Sequence, residues 1–397
     1  MRALIDYRAA LRDRTGVGEY AHELVRALLT AFPPDGRHAP VSGPAQTAGG
    51  RLDLTLFSSS WKDRLVPAAD LAGAATVDRR VPVRLLNYSW HRLEWPSAED
   101  LAGRAFDVTH SMHPLMLPAR KAARVVTIHD LDFLAHRDRT RAEIRRDYPV
   151  LARDHARRAD AVIVISRFTA REVERLLGID ADRIAVCPPG APDWKPRDRP
   201  PTSGYLLCFG TLEPRKNIGR LLDAFEWMLE TVSRRSASEG GNAVPELVLA
   251  GRATDEARSW LERIRRPPLA GRVRHIGYVD PARRQSLYEG ARLLVHPSLL
   301  EGFGLTVLEA MTAGVPVAAS NRGALPEVLG DAGPFFDPED PVQIGAEILR
   351  MIDDDGFAGA CAAKGVVRAR EFSWERTAHR VYAAYEQAIE IAKAREN

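Results

Sequence analysis

The sequence predicts an α/β protein made of two doubly wound parallel sheets, each covered by helices on both faces. Three observations predict it. Short apolar runs alternate with amphipathic stretches along most of the chain. The apolar runs are continuous rather than alternating, as strands buried on both faces require. And 397 residues exceed what one hydrophobic core serves, so the pattern divides into two domains of roughly 200 residues each.

The elements follow in order. In the first half, strands are predicted at 3–7, 52–58, 107–111, 124–129, 161–166 and 184–187. Helical periodicity falls between them at 18–29, 140–158 and 167–177. The stretch 33–50, rich in Pro, Gly and Ala, reads as a long excursion from the first domain. From Cys187 to Pro201 the chain holds six prolines and no periodic pattern. Proline removes a donor and restricts its predecessor, so the domains part here. In the second half, strands are predicted at 205–210, 246–250, 273–277, 293–296 and 316–319, with helices at 218–230, 257–265, 281–289, 305–312 and 342–352. A long helix closes the chain from Trp374, after a Phe-Ser-Trp break. The predicted organisation is a first domain over 1–194, a linker over 195–204, a second domain over 205–373 and a C-terminal helix over 374–397. In open sheets of this kind ligands sit beyond the C-terminal strand ends, so a cleft between the two Rossmann-like domains is the expected site.

Composition removes several classes. No run of eighteen apolar residues occurs, and no signal-peptide core is read at the start, so a cytoplasmic protein is expected. Cys187, Cys208 and Cys361 stand alone, with no CxxC, which speaks for a reducing compartment and against structural zinc. The net charge is +3, from 56 basic and 53 acidic residues. Residues 1–200 carry 32 basic and 26 acidic residues, and residues 201–397 carry 24 and 27, so the halves stand at +6 and −3. Neither half reaches the charge of a nucleic-acid-binding domain, and no aromatic-interleaved basic run occurs, so no nucleic-acid partner is expected. No complete GxGxxG with a later acidic residue follows the first strand, which sets aside a NAD dehydrogenase.

The segment from Pro297 to Pro316 carries the strongest chemistry. Gly302 and Gly304 flank Phe303, and a helix begins near Leu305. The first amides of a helix lack intrahelical partners and carry partial positive charge, and glycine lets a ligand approach the backbone. That combination suits a phosphate. Glu301 precedes the loop and Glu309 lies one turn into the helix, so the two carboxylates straddle the phosphate position. A diphosphate with hydroxyl-bearing sugars on both sides, a sugar nucleotide, fits that pattern. A second element, Gly210-Thr-Leu-Glu-Pro-Arg-Lys-Asn217, puts Arg215 and Lys216 between a strand end and a helix, where they can neutralise a departing diphosphate. In the first domain Gly16 and Gly18 make a tight turn before a helix, and His129 ends an apolar strand where it can bond a sugar hydroxyl. Asp130-Leu-Asp132 has the DxD spacing of a metal carboxylate site and is read as a decoy, so no metal is expected.

The Glu301-to-Glu309 stretch is a Glu-x7-Glu motif that resembles the signature of the retaining family four glycosyltransferases, which have the GT-B fold. Further blocks look like those of the family, in the family's order and across both domains: Thr15-Gly-Val-Gly-Glu-Tyr20, Val126-Thr-Ile-His-Asp130, Ile165-Ser-Arg-Phe168, Gly210 to Asn217, Ile276-Gly-Tyr-Val279 and Ser320-Asn-Arg-Gly-Ala-Leu-Pro-Glu327. The resemblance implies that Glu301 binds hydroxyls of the transferred sugar and Glu309 the ribose. Phe303, Gly304 and Leu305 would give backbone contacts to the sugar or distal phosphate, and Arg215 and Lys216 would hold the diphosphate. Tyr278 and Val279 would lie beside the base, Gly16 would approach the distal phosphate and His129 would touch the sugar near its anomeric centre. Ser166 and Arg167 would line the cleft, and the C-terminal helix would cross back onto domain one. Thr211 stands where many relatives carry an arginine, which resembles a mannosyltransferase-like bacterial subgroup of polysaccharide or O-antigen assembly.

The implied reaction moves a hexose with retention and no metal, from GDP-mannose to a glycan or lipid-linked acceptor. UDP-sugars are the competing donors. An epimerase of the same fold and a non-catalytic sugar-nucleotide-binding protein are the rivals from other classes. For the acceptor the aromatic stretch 87–96 and the arginine-rich helix 140–158 are the candidates, with a peripheral contact to an anionic membrane as a second reading of that helix. Trp90 and Trp95 are read as core.

Overall fold

The computed structural model describes residues 1–11, 16–34, 50–66, 68–135, 148–201, 204–236 and 243–396. The chain forms two compact units: unit 1 comprises Met1–Gly190 with Ser373–Asn397, and unit 2 comprises Ala191–Phe372.

Unit 1 is built on seven parallel strands: β1 (Arg2–Asp6), β2 (Asp53–Ser59), β3 (Ala75–Arg79), β4 (Val108–Ser111), β5 (Ala123–Ile128), β6 (Ala161–Val164) and β7 (Ile184–Val186). Their order across the sheet is β3-β2-β1-β4-β5-β6-β7. β1 therefore lies between β2 and β4, and this reversal of strand order is the switch point at which such sheets bind ligands. The central strands are almost fully buried, which is why their sequences read as unbroken apolar runs. β3 was not predicted. It is an edge strand, Ala-Thr-Val-Asp-Arg, largely exposed, and so carries no apolar signature. The closing helix Trp374–Glu396 packs on the helix Val17–Ala31 and on β5 and β6. Tyr385 on it is fully buried and bonds His110 Nδ1 at 2.7 Å, while His110 Nε2 meets Thr127 Oγ1 at 2.7 Å.

The helix Val83–Leu93 is pinned to β1 by an ionic rivet. Arg8 donates to both oxygens of the buried Asp6, at 2.8 and 2.6 Å, and to Asn87 Oδ1 at 3.0 Å, with its guanidinium 4.8 Å above the Trp90 ring. His113 Nε2 stands 3.3 Å from Asp6 Oδ2. Trp90 is core, as read, but Trp95 is 62% exposed, which corrects its core assignment. The cause is that Trp95 lies past the helix end at Leu93, where no further turn carries it back to the sheet.

Unit 2 holds six parallel strands: β8 (Tyr205–Phe209), β9 (Leu247–Ala250), β10 (Val273–Gly277), β11 (Ala291–His296), β12 (Val317–Ser320) and β13 (Phe335–Phe336). The order β10-β9-β8-β11-β12-β13 repeats the reversal, here between β8 and β11. The two-residue β13 is too short to be legible. The stretch expected as a linker over 195–204 is not a free spacer in its described part. Arg197 N–H donates to Ala313 O at 3.1 Å and its guanidinium reaches Glu289 O at 3.1 Å, so it caps carbonyls at the C-terminal ends of two helices, Leu305–Thr312 and Pro281–Glu289, and belongs to unit 2. Among the described residues no helix is long and apolar enough to cross a membrane.

Candidate active site

In unit 2 the switch point between β8 and β11 gathers the predicted cations and one predicted carboxylate. After β8 the chain forms a short 3-10 turn, Pro214–Lys216, which ends at Asn217 in the left-handed conformation with φ 58°. The Asn217 amide donates to Pro297 O at 3.1 Å and Pro338 O at 2.7 Å, and Leu299 N–H donates to Arg215 O at 2.9 Å. These bonds lock the cation turn to the loop that follows β11. Asn217 was not singled out in the sequence, although an asparagine ending a turn is a recognisable left-handed signal.

Glu301 sits at the centre. It is 7% exposed. Lys216 Nζ lies 2.5 Å from its Oε1, Arg215 Nη1 lies 2.9 Å from its Oε2, and His296 Nε2 lies 3.0 Å from Oε1. Arg215 also donates to Glu213 Oε1 at 2.8 Å and Leu300 O at 3.0 Å. Burial alone would raise the Glu301 carboxyl, but Lys216, Arg215 and then His296 outweigh it and hold it well below the usual carboxylate range. Its backbone is gripped too: Ala324 N–H donates to Glu301 O at 2.9 Å, and a side chain at Gly323 (φ +65°) would come 2.6 Å from that oxygen. That close approach accounts for the glycine in the Ser320-to-Glu327 block.

Gly304 (φ +112°) opens the helix Leu305–Thr312, and a Cβ there would stand 2.8 Å from Leu325 Cδ2. The first amides of that helix have no partner four residues back, which is the anion-binding property inferred from sequence. Phe303 is buried edge-on against Phe372, with centroids 5.5 Å apart, so its side chain is structural and only its backbone can serve a ligand. Glu309 is not part of the Glu301 cluster. Its oxygens accept from Arg284 Nη1 at 3.0 Å and from Tyr288 OH at 2.7 Å. Burial raises its carboxyl, and Arg284 and Tyr288 offset that only in part. Arg284 and Tyr288 were missed by the sequence reading, because the helix Pro281–Glu289 has no motif to mark them. Val279 is buried and Tyr278 is partly exposed, with the Arg252 guanidinium 4.8 Å above its ring.

In unit 1, Gly16 has φ 52° and precedes the helix Val17–Ala31, with nothing within 4 Å of the position a Cβ would take. Arg14 and Thr15, beside it, lie outside the described residues. His129 follows β5. Its Nε2 is 3.1 Å from Met112 O, and a carbonyl only accepts, so Nε2 carries the proton. Burial, against smaller upward pulls from Met112 and Asp130, brings its pKa down to about 4. A neutral ring with Nε2–H leaves Nδ1 as an acceptor. Tyr20 packs edge-on against the ring at 5.1 Å. Asp130 Oδ1 accepts from Asp132 N–H at 3.2 Å, a turn contact. Ser166 caps the helix Arg167–Leu177, its Oγ accepting from Thr169 N–H at 3.0 Å. Of the helix expected over 140–158, residues 140–147 lie outside the described residues, and in Tyr148–Arg158 the Arg158 guanidinium pairs with Asp154 and Glu94.

A buried carboxylate held by two cations stands beside a helix start on a doubly wound sheet, and the comparisons with known proteins give the class of protein that carries it. Residues 203–354 match the family described as "Glycosyl transferases group 1", and residues 48–193 the one described as "Glycosyltransferase Family 4". The chain is 31% identical over 395 residues to the "O-antigen chain mannosyltransferase B" of Escherichia coli, covering 94% of this chain and 96% of that protein. It is 27% identical over 377 residues to the "D-inositol 3-phosphate glycosyltransferase" of Acidothermus cellulolyticus, covering 85% and 82%. Among solved structures, sucrose-phosphate synthase from Thermosynechococcus elongatus matches with a TM-score of 0.73 at 20% identity, over 97% of this chain and 98% of that one. WaaG, a glycosyltransferase involved in lipopolysaccharide biosynthesis, matches with a TM-score of 0.68 at 15% identity, over 97% and 98%. The fold is GT-B, and the protein is a glycosyltransferase. The chain belongs to the group 1, family 4 glycosyltransferases.

Proposed function

We infer that the protein transfers mannose from GDP-mannose, with retention, to a hydroxyl of a glycan or lipid-linked acceptor, forming an α linkage at the cytoplasmic face of a membrane. The observation that carries this reading is the Glu301–Lys216–Arg215 cluster, and the 31% identity to an O-antigen mannosyltransferase supports the sugar. The acceptor oxygen attacks the anomeric carbon on the face from which the leaving group departs. The bond from that carbon to the distal phosphate oxygen breaks, and the acceptor proton passes to the phosphate oxygen, giving the nucleoside diphosphate. Lys216, Arg215 and the amides opening the Leu305–Thr312 helix meet the charge that develops. Glu301 fixes the sugar hydroxyls, and no metal is called upon. Glu309, oriented by Arg284 and Tyr288, takes the ribose, and Tyr278 and Val279 the base. In unit 1, Gly16 serves as an amide donor to the distal phosphate and His129 as a neutral acceptor for a sugar hydroxyl.

The reading of a peripheral membrane contact by 140–158 rests on residues of which 140–147 lie outside those described, and the helix Val83–Leu93 is proposed as a second surface for such a contact. Its outer side presents Leu85 and Tyr88, 63% and 66% exposed, between the exposed Arg84 and Arg92. Apolar and aromatic side chains flanked by arginine suit an anionic lipid surface.

A thermal-shift panel of GDP, UDP, ADP and dTDP tests the donor, since a ligand that binds the native state raises its apparent stability. GDP is expected to stabilise and the others to do little. Stabilisation by UDP and not by GDP overturns the mannose reading in favour of a UDP-sugar. Transfer from GDP-mannose that persists in excess EDTA is expected, and its loss overturns the metal-free mechanism.

A further inference from the structure

His296, the last residue of β11, touches neither of the two predicted cations in the bonds that hold it, yet it joins the two halves of the donor site. It is buried, 1% exposed. Nε2 lies 3.0 Å from Glu301 Oε1, with Ser298 Oγ 3.2 Å from the same nitrogen. Nδ1 lies 3.2 Å from the hydroxyl of Thr306, in the first turn of the Leu305–Thr312 helix. An ionised carboxylate only accepts, so Nε2 must carry a proton. In the neutral ring Nδ1 then accepts from the Thr306 hydroxyl, and in the charged ring Nδ1 donates to it. The threonine hydroxyl serves either state by rotating, so the site accommodates both without moving a heavy atom.

Which state prevails depends on the charges that face the ring. From the turn after β8 these are Lys216 and Arg215, from the loop after β11 Glu301, and from the helix only the neutral Thr306. Glu213 faces Arg215 from the other side. The buried Cys208 thiol of β8 is pushed up to about 12, first by burial, and stays neutral. Burial lowers the His296 pKa most; Glu301 pulls it up, and Lys216 and Arg215 push it down. The imidazole is therefore neutral while both cations stand on Glu301.

We propose that binding of a diphosphate donor draws one proton from solvent onto His296, and that the resulting imidazolium holds Glu301 ionised and oriented toward the transferred sugar. This rests on the donor-site reading above. The donor's diphosphate recruits Lys216 and Arg215 and adds negative charge beside the ring. Glu301, almost wholly buried, then depends on His296 for its remaining charge-assisted hydrogen bond. Both changes favour the charged ring. His296 acts through Glu301 and is a positioning residue.

The measurement is titration calorimetry of the full chain with GDP-mannose in buffers of different ionisation enthalpy. A sugar-linked diphosphate has no phosphate group titrating near neutrality, unlike free GDP with its terminal phosphate pKa of about 6. Uptake of a fraction of a proton up to one proton per site is expected near pH 7. Between the free and bound pKa values of His296 the Kd should rise with pH by up to about tenfold per unit. His296→Gln keeps a donor for Glu301 and an acceptor for Thr306, so it should still bind GDP-mannose with no proton uptake and a flat pH profile. Wild-type binding without proton uptake overturns the proposal, as does equal uptake in His296→Gln. Should that variant fail to fold, Glu301→Gln, which removes the charge that holds the proton, must lose the uptake for the proposal to stand. Failure of the wild type to bind any nucleotide sugar strikes the donor-site reading instead.

Discussion

Glu301→Gln separates the two jobs that the proposed function gives to one carboxylate. In the free protein Glu301 accepts from three donors, Lys216, Arg215 and His296. Glutamine has one acceptor oxygen and an NH2 group, so whichever way it sits, a donor faces a donor. Lys216 and Arg215, with side chains 14% and 20% exposed, lose their counter-charge. Removing one partner of a fully buried ion pair costs about 3–5 kcal/mol. Partial exposure of the two cations brings this to about 2 kcal/mol, a fall in Tm of about 4–8 °C for a unit of this size. The uncompensated cations should then receive a diphosphate more readily. Nucleoside diphosphate should raise the Tm of the variant by more than it raises that of the wild type. Transfer moves the other way. A hydrogen bond to a charged group is worth about 1.5–3 kcal/mol, so kcat should fall by about one to two orders of magnitude. The assays are thermal melts with and without nucleotide and a steady-state rate of nucleotide release with acceptor present. An unchanged Tm together with weaker nucleotide binding would refute the claim that Glu301 screens the diphosphate-binding cations.

Two further outcomes follow from unit 1 and are independent of the donor. Burial, aided by His129, pushes the His110 pKa down to about 3, and burial chiefly brings His129 and His91 down to about 4, from an ordinary 6.5. A depressed histidine favours the native state fully above 6.5 and loses that contribution as pH falls toward its folded pKa, so unit 1 should lose thermal stability progressively between pH 6.5 and 3. Melts across that window check it, and a flat Tm down to pH 4 contradicts it. The paired change Leu85→Ser with Tyr88→Ser leaves the buried Leu86 and Trp90 face intact. It should cut sedimentation with vesicles of mixed neutral and anionic phospholipid several-fold, and equal sedimentation of variant and wild type removes the membrane assignment.

Backbone-dominated features were legible in the sequence and partner-dominated ones were not. The buried strands of both sheets are apolar runs because a parallel strand covered on both faces has no polar side to show. The helix start at Leu305 is marked by its glycines, because a φ of +112° excludes most side chains. Arg284, Tyr288 and His296 carry no such local mark. Arg284 and Tyr288 matter through Glu309, which lies 25 and 21 positions away, and no periodicity encodes that meeting; His296 meets Glu301 only five positions on, but through the path of an irregular loop. The strand β3 escaped for the converse reason, since an edge strand needs pairing but little burial.

The same physics explains how one motif can set two glutamates in different states, as the two roles proposed for them require. Glu301 and Glu309 are both nearly buried, and burial by itself disfavours their charge. They diverge through their partners. Glu301 faces two cations and an imidazole, and is held far down. Glu309 faces one guanidinium and a phenol, and is left raised. In the proposed function, a carboxylate kept ionised by cations that a diphosphate would reclaim is sensitive to donor charge. A carboxylate held between Arg284 and Tyr288 is shielded from it, and offers a fixed hydrogen-bonding edge. The first suits the reacting sugar, where charge changes during the reaction. The second suits a ribose, where nothing changes and only orientation is required. The Glu-x7-Glu spacing places the two groups, and the residues around each decide which task it can perform.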